Sequence, residues 1–227
     1  MTIAFRMVNC TIKSITRTAC VVDDIEISRV PLRGPLILAV NHINFLDVPV
    51  MYTHLQPREI TALVKEETWN NPIMGALFSL WGGIPIKRGE NDITAFSKAL
   101  QSLKEGMILA ISPEGTRSRT GILQQGHPGI AMLAQKANVP IQPVAIYGGE
   151  VIWDNLNRLV RTPFHIRVGN IFNIDPSLQL SDRSLRQDAA DQVMYQIASL
   201  LPEKYRGVYR DLSKKHQCFF TFSTSIT

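Results

Sequence analysis

The chain has 227 residues, 45% hydrophobic and 19% charged, enough to bury the core of one α/β domain. Its formal charge of +5 and pI of about 9.2 favour an acidic partner (nucleic acid, an anionic membrane surface or a phosphorylated substrate) without choosing between them. Three scattered cysteines, Cys10, Cys20 and Cys218, exclude a disulfide framework or a cysteine metal cluster and point to free thiols in a reducing compartment. Arg6, Lys13 and Arg17 break up any signal-peptide core. The longest uncharged stretch, 68–86, holds Pro72, Gly75, Gly82, Gly83 and Pro85, so it does not read as a membrane-spanning helix.

Residues 1–20 contain no acid and read as an amphipathic helix. Arg6, Lys13 and Arg17 fall on one face, with Ala4, Phe5, Val8, Ile12 and Ile15 on the other. Such a helix either lies at a membrane interface or packs its apolar side on the domain. From there the pattern is short apolar runs alternating with helical periodicity, which predicts one domain, 21–213, with a mostly parallel central sheet flanked by helices. The predicted strands are 35–40, 60–65, 84–87, 107–112, 141–147 and 165–169. Predicted helices begin at a cap on Asn91 or Asp92 and run to about 105, then cover 128–138 and 182–201, the last ended by Pro202. The tail, 214–227, contains Cys218-Phe-Phe-Thr-Phe222 and reads either as an edge strand or as a frayed end.

The first segment that carries chemistry follows the strand at 35–40. In parallel sheets, ligands bind beyond the carboxyl ends of strands, and His42 sits there. If the chain turns into a helix at Asp47, that carboxylate comes back beside the imidazole and fixes one tautomer, leaving the other nitrogen to accept a proton. The same spacing also suits a structural histidine with Asp47 as a helix cap. The second segment, Ser112-Pro-Glu-Gly-Thr-Arg117, again follows a strand. There Gly115 allows close backbone approach, Thr116 offers a hydroxyl, and Arg117 and Arg119 bring fork-shaped donors suited to phosphate. Glu114 suits an arginine partner or a substrate hydroxyl, and a polar surface turn is the alternative for the whole segment. Lys65, Lys87, Arg88 and Arg117 all follow strands, and would gather phosphate-directed charge at one edge of the sheet.

Four ordered segments then coincide: Asn41-His-x-x-x-x-Asp47, Gly82-x-x-x-Ile86-x-Arg88, Pro113-Glu-Gly-Thr-Arg117 and Val139-Pro-Ile-x-Pro143. Together they resemble the motifs of the glycerolipid acyltransferase family, whose best-known members are the 1-acylglycerol-3-phosphate acyltransferases. The resemblance covers about half the chain and implies a glycerol-3-phosphate acyltransferase-like fold. It implies transfer of a fatty acyl group from acyl-CoA or acyl-carrier protein to the free hydroxyl of lysophosphatidic acid, giving phosphatidic acid. His42 is then the general base and Asp47 its orienting partner, with no metal or other cofactor. Lys65, Arg88, Glu114, Gly115, Thr116 and Arg117 bind the acceptor, while Pro140 and its neighbours shape an acyl channel or the core. The expected setting is the cytoplasmic side of an anionic membrane, as a peripheral protein. The same mechanism on glycerol-3-phosphate or another lysolipid, lyso-ornithine lipid included, is the first alternative; a non-catalytic anionic-lipid-binding module is the second.

The sequence departs from the family pattern at Pro85, Lys87, Ser112 and Gln125-Gly-His-Pro-Gly129, where acceptor or acyl chain should sit. His127 reads as a cap before a helix start and stays outside the catalytic set. Met74, Leu77, Phe78 and Trp81 form an apolar face that lines an acyl tunnel or belongs to the core. Nucleic-acid binding has only net charge behind it, without aromatics interleaved in a basic stripe.

Overall fold

The protein is seen here as a computed structural model that describes residues 2–87, 92–178, 180, 182–216 and 218–222. Its helices are α1 (Ile3–Ala19), α2 (Asp47–His54), α3 (Pro72–Leu80), α4 (Ile93–Lys104), α5 (Gly129–Ala137), α6 (Ile152–Asn157) and α7 (Arg183–Leu200). The strands are β1 (Cys20–Asp23), β2 (Leu36–Val40), β3 (Ile60–Lys65), β4 (Ile84–Ile86), β5 (Ile108–Ile111), β6 (Ile141–Tyr147), β7 (Thr162–Val168), β8 (Phe172–Ile174) and β9 (Phe220–Phe222). Among the described residues they form one sheet in the order β1-β7-β6-β2-β5-β3-β4, with β8 pairing β6 and β9. The run from β6 to β4 is parallel, whereas β7 lies antiparallel to β6 and carries β1 parallel to itself.

The central strands are apolar on both faces because both are covered. All of β2 is buried: Ile37 and Ala39 face one core with Leu103, Ile130 and Val193, while Leu36, Leu38 and Val40 face the other with Tyr52, Leu55 and Phe78. Local chemistry sets the helix ends that flank these layers. Asp92 caps α4 by accepting from Ala95 N, and Asn71 caps α3 ahead of Pro72. Asn138 closes α5 in the left-handed conformation at φ 51°. The chain returns from α2 to β3 two positions away, and β5 fills the gap. The loops after β2 and β5 are therefore neighbours at the carboxyl edge of the parallel run.

The two ends of the chain belong to this domain. On α1, Phe5, Val8 and Ile12 are partly buried against the core beside Trp81, whose Nε1 donates to Asn9 Oδ1 at 2.9 Å. Ala4 and Ile15, grouped with them by the helical pattern, stay exposed. Toward the other end Phe219 and Phe220 are buried and β9 pairs β8 from Phe172↔Phe222 to Ile174↔Phe220, so the tail carries a short edge strand at Phe220–Phe222. Among the described residues no helix is long and apolar enough to cross a membrane.

Candidate active site

The site grows out of the end of β2. Asn41, buried where the apolar strand stops, donates to Ile146 O and accepts from Ile146 N (2.9 and 2.7 Å), locking the strand end to β6. The chain then turns through residues 41–46 into α2. Asp47 stands at the head of that helix, 3% exposed, and its Oδ2 accepts from Ile43 N (2.6 Å), Asn44 N (3.0 Å) and His42 Nδ1 (2.7 Å). One carboxylate oxygen therefore both shapes the turn and orients the imidazole.

The loop after β5 closes over the turn. Ser118 N donates to His42 O and Arg119 N to Ile43 O (2.8 and 3.0 Å), two backbone rungs between loops distant in sequence. Arg117 Nε–H donates to His42 Nε2 at 3.3 Å. With Nε2 accepting and Nδ1 donating to Asp47, both contacts favour the tautomer a general base needs. Gly115 bends this loop at φ +66°, and a Cβ there would come within 2.9 Å of the His127 ring, so two requirements meet at one glycine. His127 is thus exposed beside the site, its backbone N donating to Pro113 O.

Glu114 takes a different part from the one its sequence context suggests. It is 2% exposed and forms no ion pair with an arginine among the described residues: Oε1 accepts from His42 N and Oε2 from Gln124 N, both at 2.9 Å. Burial, with the neighbouring Asp47 charge adding, pushes its carboxyl up to about 7 against the pull of those two N–H groups. It ties the two loops together. Thr116 and Arg117 are exposed on the outer side of the same loop.

The cationic edge is looser. Lys65 ends β3 with an exposed side chain 3.1 Å from Glu67, and Lys87 is exposed with its backbone N on Asp92. Arg88 lies outside the described residues. Beneath His42 opens a mostly apolar cavity of about 160 Å³, reached past Asp47 and lined by Met51, Tyr52, Ala62, Leu63, Ile86 and Ala110. The apolar face on α3 does not line it. Phe78 and Trp81 are core, with Trp81 stacked on Tyr52 at 4.6 Å. Residues 139–143 do not line it either, since they lead into β6 inside the sheet. Asn41 is the residue sequence reasoning left out of the site; its signal is a polar side chain ending an all-apolar strand. Among the described residues no cluster of three His, Cys, Asp or Glu could hold a metal ion.

A family profile described as Acyltransferase matches residues 21–147, more than half of the chain. The chain belongs to the Acyltransferase family. The match runs from β1 through β6 and includes His42, Asp47, Glu114 and Arg117. A lyso-ornithine lipid O-acyltransferase of Pseudomonas aeruginosa is 32% identical over 124 residues, 54% of this chain and 47% of its own. A chloroplastic 1-acyl-sn-glycerol-3-phosphate acyltransferase of Arabidopsis thaliana is 30% identical over 50% of this chain and 32% of its own. The 1-acyl-sn-glycerol-3-phosphate acyltransferase of Bacillus subtilis is 25% identical over 52% and 58%. The matched stretch thus spans about half or less of most of these Acyltransferase relatives. The crystal structure of the 1-acyl-sn-glycerophosphate acyltransferase PlsC from Thermotoga maritima superposes with a TM-score of 0.59, covering 81% of this chain and 73% of that one at 24% identity, which establishes the shared fold.

Proposed function

We propose that this protein is an O-acyltransferase that moves a fatty acyl group from a thioester, acyl-CoA or acyl-carrier protein, to the free hydroxyl of lysophosphatidic acid at a membrane surface. The observation that carries the reading is His42, fixed by Asp47 at Nδ1 while Nε2 opens toward Arg117 and an apolar cavity. Nε2 takes the proton of the acceptor hydroxyl, the oxygen adds to the thioester carbonyl carbon, and the tetrahedral intermediate expels the thiolate. That thiolate takes the proton from the imidazolium, so every proton and electron pair is accounted for using side chains alone. The cavity is suited to the acyl chain, and its apolar walls keep water from the reacting carbonyl.

Arg117 has two tasks in this scheme. Its Nε–H donates to His42 Nε2, the lone pair that the mechanism needs. An acceptor bearing an anionic group offers the guanidinium a stronger, bidentate partner. Binding the acceptor and freeing the base then become one event. Lys65, Lys87 and Arg88 add long-range attraction for that anion. Glu114, Gly115 and Thr116 support acceptor binding by shaping the loop that presents Arg117.

A second acceptor has its own support in the 32% identity to a lyso-ornithine lipid O-acyltransferase. The deciding experiment offers purified protein a panel of acyl-CoAs with lysophosphatidic acid or lyso-ornithine lipid, then acyl-carrier protein, following thiol release and lipid product together. Product with either acceptor supports transfer and names the headgroup. Lipid binding without product from any pair would replace the reading with a binding module.

A further inference from the structure

The lip of the site carries a surface that the transfer chemistry leaves unused. Asn44, two residues after His42, donates from Nδ2 to Gly149 O at 2.6 Å, joining the catalytic turn to the segment that leads into α6. Beside it Phe45 stacks on Trp153 of α6, ring centroids 5.1 Å apart and planes 29° apart. Trp153 is 62% exposed, and Phe45, Leu156 and Val160 are exposed around it. Ile152 points inward as the buried anchor of the helix, while Trp153 and Leu156 share the outer side at i, i+3 spacing. Leu159 is 95% exposed and sits at φ 53°, a left-handed backbone that a leucine adopts only at a cost. A strained leucine wholly in water has no packing role within this chain.

The charges beside these side chains select the partner. Arg158 and Arg161 flank Leu159 and Val160; the acids nearby are Asp154 on α6 and Glu150 ahead of it, whose carboxylate accepts from Gly148 N and the Tyr205 hydroxyl, and the chain carries +5 overall. Arg161 Nη2 donates to Arg17 O and Cys20 O, which pins the turn to the end of α1. Stacked aromatics, protruding aliphatic tips and a cationic border form the composition of an interfacial anchor in anionic lipid. Phe45 lies three residues from the base, so a surface seated on it brings the site mouth to the headgroup layer.

We propose that Phe45, Trp153, Leu156, Leu159 and Val160 form the membrane-docking face of this protein, seating the mouth of the site on an anionic bilayer. This rests on the reading of the acceptor as a lipid. It moves the interface from the apolar side of α1, whose Phe5, Val8 and Ile12 pack on the domain, to the rim of the site.

The test uses the whole protein and two variants, W153S/L159S and Leu159→Gly, sedimented with vesicles of mixed phosphatidylglycerol and phosphatidylcholine. Transfer is measured in parallel to long-chain lysophosphatidate in those vesicles and to a short-chain lysophosphatidate dissolved in water. The double variant is expected to lose about tenfold in vesicle partition and a similar factor in vesicle-phase transfer, with soluble-acceptor transfer within about twofold of wild type. Glycine suits a positive φ, so Leu159→Gly should hold or raise the melting temperature while still weakening partition, which separates docking from folding. Wild-type partition in both variants overturns the proposal. Unchanged partition with a raised KM for acyl-carrier protein would also overturn it, and assign the face to that protein. Absence of transfer to every acceptor would defeat the functional reading alone, because partition is measured without turnover.

Discussion

The domain contains a matched pair of histidines that the same chemistry has put to different ends. His42 and His54 each contact an aspartate through Nδ1, at 2.7 Å from Asp47 and 2.6 Å from Asp24. His54 is sealed, 4% exposed, its Nε2 buried with no partner among the described residues, and burial holds its pKa below the ordinary histidine value. His42 keeps Nε2 at a cavity mouth under an arginine. A histidine–aspartate contact therefore says nothing about catalysis by itself; the difference is the fate of the second ring nitrogen. A base needs that nitrogen to reach a substrate, and a structural imidazole does not.

Substitutions that treat the two pairs alike should separate them. His42→Ala is expected to cost about 10³-fold or more in kcat with the melting temperature nearly unchanged; substantial residual transfer would take the base role from it. Asp47→Asn should follow with a loss of about 10²-fold, since the amide no longer selects the tautomer. Because Asp47 also accepts from Ile43 N and Asn44 N, a lowered melting temperature should accompany that loss.

Arg117→Ala should raise the acceptor KM by about tenfold and leave the donor KM alone. It should also raise thioester hydrolysis without acceptor, because water then reaches Nε2; equal effects on both KM values would refute the anion role. His54→Leu is the counterpart on the sealed side: transfer per folded molecule within about twofold of wild type, and roughly 1 kcal/mol of stability lost with the hydrogen bond to Asp24, which keeps Arg17 at 3.4 Å, read by urea unfolding.

The smallest effect concerns pH. Glu114 has a folded-state value raised from 4.5 to about 7. The native state therefore binds the proton more tightly than the unfolded chain, and this contribution to stability is present at acid pH and lost as pH rises from 4.5 towards 7. The stability of wild type relative to Glu114→Gln should fall by about 2 kcal/mol between pH 5 and pH 8. A flat difference would mean that Glu114 titrates normally.

What was legible in the sequence follows from the range of the interactions involved. β3 and β6 match their predicted spans and β2 differs by one residue, because strands covered on both faces are written as largely apolar runs. β1 and β8 are not among the predicted strands and β9 is one of two readings of the tail: each has three or four residues at the margin of the sheet, and β9 exists through its pairing with β8. Pro163 made β7 look shorter than its Thr162–Val168 span. At the site, the spacing of His42 and Asp47 announced their contact. Glu114 reaches a backbone 72 residues away, and no local pattern reports that. Lys65 ends β3 opposite Ile86 and so lies near Lys87, with its ammonium 3.1 Å from Glu67, a local pairing that the strand pattern does not report.

The contact between Arg117 and His42 also bears on how the protein idles. On the proposed reaction, a thioester held beside His42 is at risk from water, which at about 55 M exceeds a KM of about 1 μM by roughly 5 × 10⁷-fold. On that reading the Arg117 guanidinium, 3.3 Å from His42 Nε2, would hold water off that nitrogen until an anionic acceptor draws it away. On the proposed reaction, the rate at which acyl donor is consumed would then follow the supply of acceptor.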